Sequence, residues 1–284
     1  MTDLTTNSSM SVQKLLRKRA ICLAVLCGLN GGVTAAFGAD YTERQIAQQL
    51  MQASPSNPLN FNDADLTNLD LSGLDFKQAK FVGTDLFGVD LSGANMTGTD
   101  LRGSRLDRIV MIEAKFDRAN FTGATLLRPS LFRTLDPNVG IGPSFAGANF
   151  TGVKMFGRFN RANFSGANFT RAKLAPFGRT GFIEHIWRTE LLGANLSNAI
   201  LKDADLSQVL LAFANLKGAD LRGANLQRAD LTQADLTGAN LTGADFTDAD
   251  LDRAKLNGVT GMDSVIGLSK AKNYSPDHPN PLAN

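Results

Sequence analysis

The 284 residues carry 43% hydrophobic side chains, 29 Lys and Arg against 27 Asp and Glu for a formal net charge of +2, two cysteines and two histidines. His185 and His278, the second of them in the tail, give no basis for a catalytic triad or a histidine-based metal cluster. Cys22 and Cys27 both fall within the first 38 residues, which excludes a disulfide framework from everything after them.

Residues 1–38 follow the order of a secretory signal peptide. A basic cluster of Lys14, Arg17, Lys18 and Arg19 precedes an apolar run from Ala20 to Leu29, and small residues end in Ala36-Phe37-Gly38. Ten apolar residues are too few to span a bilayer, so no transmembrane anchor is expected once the signal is removed. Cleavage after Gly38 would start the mature chain near Ala39, in a bacterial periplasm or another exported lumen such as that of a thylakoid. Residues 39–60 are predicted to be an N-terminal capping segment. Its helix runs from Thr42 to Gln52, opened by a capping box of Thr42 and Gln45, with Ile46 and Leu50 on one face.

From residue 61 the chain repeats a five-residue unit around a large apolar centre. The first tract runs Phe61, Leu66, Leu71, Phe76, Phe81 and onward in one phase to Leu126 and Leu131. Centres resume at Phe145, Phe150 and Met155, slip to Phe159, Phe164, Phe169 and Leu174, and then hold phase from Leu191 to Leu256, thirty-six units in all. Two positions before most centres stands a small residue, as at Ala64, Ala79, Ala119, Ala162 and Ala219. A period of five fits neither the helical 3.6 nor the strand period of 2, so the chain must turn a corner every unit with the centre and the small residue inward. Leu69, Leu74, Val89, Ile109 and Val209 take the small position, and local widening is expected there. Asp or Asn just before the centre, as at Asn195 and Asp230, is expected to bond the corner backbone rather than a metal ion.

Two interruptions, 132–144 and 175–190, break the tract, and the second holds the only Trp of the chain. Residues 257–284 form the predicted C-terminal cap and tail, with Met262, Val265, Ile266 and Leu268 expected to plug the last coil and the segment beyond Ser275 expected to be flexible.

This pattern over residues 61–131 and 145–256 resembles the pentapeptide-repeat family. The resemblance implies an all-β fold, a right-handed quadrilateral β-helix of four units per coil, here with a short helical N-terminal cap and two mid-rod insertions. Thirty-six units then make nine coils, roughly 43 Å of rod at about 4.8 Å per coil. Some members of the family resemble duplex DNA and protect bacterial gyrase, which makes a topoisomerase-directed DNA mimic the alternative function.

A core filled with Leu and Phe leaves no substrate cavity, so the expected protein is not an enzyme and needs no cofactor or metal. Residues 39–100 carry 3 basic and 9 acidic side chains, residues 101–190 carry 14 and 6, and residues 191–284 carry 8 and 11. A basic middle argues against DNA mimicry and for an acidic protein surface or an anionic envelope polymer, and no nucleic-acid partner is expected of an exported chain. The candidate partner-binding residues are Arg108 and Arg128, one coil apart, with Arg118, Arg161 and Arg171 nearby, and Phe182, Ile186 and Trp187 on the second insertion.

Overall fold

The computed structural model describes residues 39–131, 142–176 and 188–274. The signal-like segment 1–38, most of both insertions and the tail from Ser275 lie outside the described residues. The unit from Gly38 to Asn284 has one continuous core that runs from Ile46 to Ala254. Both ends of that core are covered by residues of the same unit.

The thirty-six centres stack among the described residues as nine coils, because each unit pairs with the unit four further on. Asp65 bridges Asp85, Asp85 bridges Arg105, and the same twenty-residue step returns from Asn195↔Asn215 to Asp235↔Lys255. In nearly every unit the centre N–H donates to the carbonyl before the next coil's centre, as Leu66 does to Asp85 at 2.9 Å and Leu221 to Asn240 at 2.8 Å. The backbone of one coil thereby satisfies the next, all of it parallel. Corners follow every five residues, so extended runs stay short. Among the described residues the one pair of longer strands is β1 (Thr125–Leu127) and β2 (Lys154–Phe156), with Leu126 opposite Met155.

A β-turn makes each corner. The small residue's N–H donates back to the centre's carbonyl, as at Ala64 to Phe61 (3.1 Å), and the residue two after the centre has positive φ, 58° at Asp63 and 66° at Gly93. Val89 and Val209 keep that bond at 3.2 and 3.1 Å, whereas Leu69, Leu74 and Ile109 do not make it. Thr84, Thr99 and Ser104 also occupy the small position, buried, and each hydroxyl donates to a centre's carbonyl: Phe61, Met96 and Leu101 at 2.7, 2.7 and 2.6 Å. Their polar atoms are thus satisfied inside an apolar column.

Four columns of centres result, headed by Phe61, Leu66, Leu71 and Phe76. Burying each centre contributes about 1.5–3 kcal/mol. In the middle coils two columns become phenylalanine stacks: Phe116, Phe145 and Phe164 at 5.2 and 4.8 Å, and Phe121, Phe150 and Phe169 at 4.6 and 4.7 Å. Register survives the interruptions, since Lys115 still bridges Ser144, Asn163 bridges Asn195, and a four-residue unit passes from Met155 to Phe159 through Gly157.

Helix α1 (Glu43–Gln52) covers the first coil where the spacing of Ile46 and Leu50 predicts it, and both of these are buried. Its capping box is complete, Thr42 accepting from the Gln45 N–H and Gln45 from the Thr42 N–H. At the other end Thr260, Ile266 and Lys272 still bridge Asn240, Asp245 and Asp250. The centres that should follow the first two are instead Gly261 and Gly267, at φ 76° and 69°, from which 3₁₀ turns Met262–Ser264 and Leu268–Lys270 fold across the coil end. Met262, Val265 and Leu268 pack on the core as expected. Ile266 does not: it takes the outward position of a bridging residue and is 54% exposed.

Candidate functional site

All five candidate arginines stand on corners, exposed and at positive φ: Arg108 (59°), Arg118 (57°), Arg128 (55°), Arg161 (58°) and Arg171 (56°). That conformation costs a side chain with a Cβ about 1–2 kcal/mol, and glycine fills the same position in many other units. Coil pairing fixes where each arginine lies around the perimeter. Arg108 and Arg128 share the corner between the second and third columns, in successive coils, and Arg171 lies two coils beyond Arg128 on the opposite edge of the second column. Arg118 belongs to the corner after the fourth column and Arg161 to the corner after the third. Three of the five therefore frame one wall, and two face elsewhere. Phe182, Ile186 and Trp187 lie outside the described residues.

The framed wall carries three cations that sequence reasoning missed: Arg105, Lys154 and Lys173, each just before a centre of the second column and each exposed. Their signal in the sequence is a Lys or Arg where the unit normally places Asp or Asn. The ordinary residue closes the turn through its own side chain, as Asp65 accepts from the Thr67 N–H at 3.1 Å and Asn168 from the Thr170 N–H at 2.9 Å. A cation gives up that bond. Lys154 and Lys173 are direct bridge partners, so two ammonium groups stand one coil apart, about 4.8 Å along the axis. Arg105 reaches Asp85 at 3.0 Å and Asp107 at 3.7 Å and lies over the Phe87 ring at 4.4 Å, where Arg108 also sits at 5.7 Å. Between the cations run half-buried Leu127 and Phe156, opposite one another in β1 and β2.

Other walls hold ion pairs as well. The hydrogen bond from Arg102 holds the Asp100 carboxyl below its usual range, and Arg222 does the same to Asp220, through ion pairs of 2.6 and 2.7 Å. At Asp235 burial pushes the carboxyl up, and bonds from Thr237 and Lys217 outweigh it, so its net shift is downward. An open cleft of about 500 Å³ is lined by Arg188, Arg228, Asp230, Asp248, Asp250 and Lys272. These charges alternate, and no nucleophile and base converge in it. Among the described residues no three His, Cys, Asp or Glu side chains converge on a point that could hold a metal ion, and no helix is long and apolar enough to cross a membrane.

The pentapeptide repeat family model matches residues 60–126, 144–175 and 189–260, more than half of the chain. The chain belongs to the pentapeptide repeat family. Solved structures similar to it include HetL, a pentapeptide repeat protein involved in heterocyst differentiation regulation in the cyanobacterium Nostoc sp., at 25% identity over 82% of this chain and 94% of that one, TM-score 0.36. QnrB1, a plasmid-mediated fluoroquinolone resistance protein, is similar at 20% identity over 74% and 93%, TM-score 0.39. A pentapeptide repeat protein of the Arabidopsis thaliana thylakoid lumen is 30% identical over 37% of this chain and 65% of that one, TM-score 0.18. No curated protein matches the chain.

Proposed function

We propose that this protein is an exported, non-enzymatic scaffold: a right-handed, four-sided β-helix that docks a protein or envelope partner on the basic side of its middle coils. The observation that carries the reading is the wall of Arg105, Arg108, Arg128, Lys154, Arg171 and Lys173, where Lys154 stacks on Lys173 and Arg108 lies one coil from Arg128. Removal of residues 1–38 as a signal peptide would place it in a periplasm or another exported lumen. A DNA mimic directed at a topoisomerase would need continuous negative charge along one side, and this wall has the opposite sign.

Affinity capture from the native compartment tests the reading. Replacing Arg108 and Arg128 by Gln and Trp187 by Ala should leave the fold intact and release the captured partner at lower salt than the parent chain does. Unchanged capture at every salt concentration would move the docking site elsewhere. N-terminal sequencing of the native protein should begin near Ala39; an intact Met1 or Thr2 in a cytoplasmic fraction would remove the export half of the proposal.

A further inference from the structure

The wall over the second column can be matched to a partner by its sign, its flatness and its mixture of side chains. Across the four coils that begin at Leu101, Phe121, Phe150 and Phe169, its outward and corner positions hold six cations, and Asp107 is the one carboxylate among them. The cations spread over about 14 Å of axis at the coil spacing instead of converging on a point. Leu127 and Phe156 lie half-buried in the floor between them, with Ala175 in the next coil. A discrete anion would need donors aimed at one place. A planar partner of opposite charge meets all six cations at once and also covers the apolar floor.

We infer that this wall docks on the surface of a bilayer containing anionic lipids. The wall binds without insertion, because Leu127 and Phe156 are half-sunk in the coil surface and the Lys and Arg side chains stand beyond them. The inference rests on the proposed docking role of the middle coils and names the partner as lipid headgroups.

The test uses residues 39–284, the mature chain of the proposed cleavage and the compact unit that holds the core. Removing that segment matters because a basic, apolar signal would bind vesicles by itself. Sedimentation with vesicles of phosphatidylcholine, with and without phosphatidylglycerol, is compared for the parent chain and two triple variants. The wall variant is Arg108→Gln, Lys154→Asn and Lys173→Asn. Each substitute already occupies the same place elsewhere in this chain, Gln at corners with φ 62° and 56° (Gln208, Gln233) and Asn at Asn120, Asn149 and Asn168, so folding is retained. The control, Lys80→Asn, Lys202→Gln and Lys255→Asn, removes as many charges from other columns.

At about five-fold in partitioning per cation, the wall variant should lose on the order of a hundred-fold on anionic vesicles and the control little. High salt should abolish binding of the parent. Equal loss in both variants would show an effect of net charge alone and overturn the assignment. So would a parent chain that ignores phosphatidylglycerol vesicles, or one that prefers soluble poly-glutamate to them. Loss of native-partner capture in the wall variant without any vesicle binding would sink the lipid assignment alone and leave the docking role standing.

Discussion

The corner residue two after each centre is where the fold asks most of a single side chain. Glycine is the cheapest occupant, and many units have it, yet Phe213 stands there at φ 62° and 59% exposed. It gives up backbone freedom and gains little burial, so Phe213→Gly should stabilise the fold by about 1 kcal/mol, read as a higher urea midpoint at unchanged slope. Inward positions behave oppositely. Leu221 is fully buried in the first column, and Leu221→Asp should cost several kcal/mol because an unpaired charge would replace it; an unchanged melting temperature would contradict the column assignment. Both positions were legible as types from the period of five, but the strain at the first was not, because the repeat does not reveal which occupants the turn tolerates cheaply.

The end covers carry the argument at the scale of elements. The C-terminal cover depends on two glycines in place of centres: a Cβ on Gly267 would lie 2.8 Å from the Thr247 Cα, and one on Gly261 would lie 2.6 Å from the Thr242 Cα. Gly267→Ala should therefore lift the 3₁₀ turns off the last coil. The sensitive readout is hydrogen exchange at the Phe246 amide, which donates to the Ile266 carbonyl at 2.8 Å and should lose protection before the middle coils do. The helix at the other end was readable in advance from its capping box and the spacing of Ile46 and Leu50. Ile266 was misread because the cap prolongs the bridging pattern, and in that pattern a residue before a centre faces out, whatever its polarity.

For the whole molecule, the aspartates before the centres tie stability to pH. Asp70, Asp100, Asp220, Asp235 and Asp245 are all held below the usual carboxylate range. Their folded values lie below the unfolded value near 3.9, so their contribution is present above about pH 4 and is lost as pH falls through the folded values. Urea midpoints should be level from pH 7 to about pH 5 and fall toward pH 3. The pair Asp100→Asn and Asp220→Asn, which keeps a turn acceptor, should flatten that fall. The positions of cations around the perimeter were legible only in part. Arg108 and Arg128 are twenty residues apart with no interruption between them, so their shared corner followed from counting. For Arg161 and Arg171 the count from Arg128 runs through an insertion and a four-residue unit, and only the pairing of coils shows which of them shares the wall of Arg108 and Arg128.

Because each unit takes its place from the coil beneath it, the core and the surface can be edited separately. Excising residues 165–169 joins Phe164 to Thr170 and still presents an unbroken series of centres, with Leu174 stepping into the vacancy left by Phe169. Inside, leucine succeeds leucine at most places; the places of Phe169, Leu241 and Phe246 pass to Leu174, Phe246 and Leu251, and the last coil ends one unit short. Outside, everything after the cut is dialled round by one column: Lys173 moves off the wall of Lys154, and every later wall is recomposed. A five-residue length change is thus almost silent in the interior and sweeping at the surface, a ready means by which one such fold could exchange partners without passing through an unstable form.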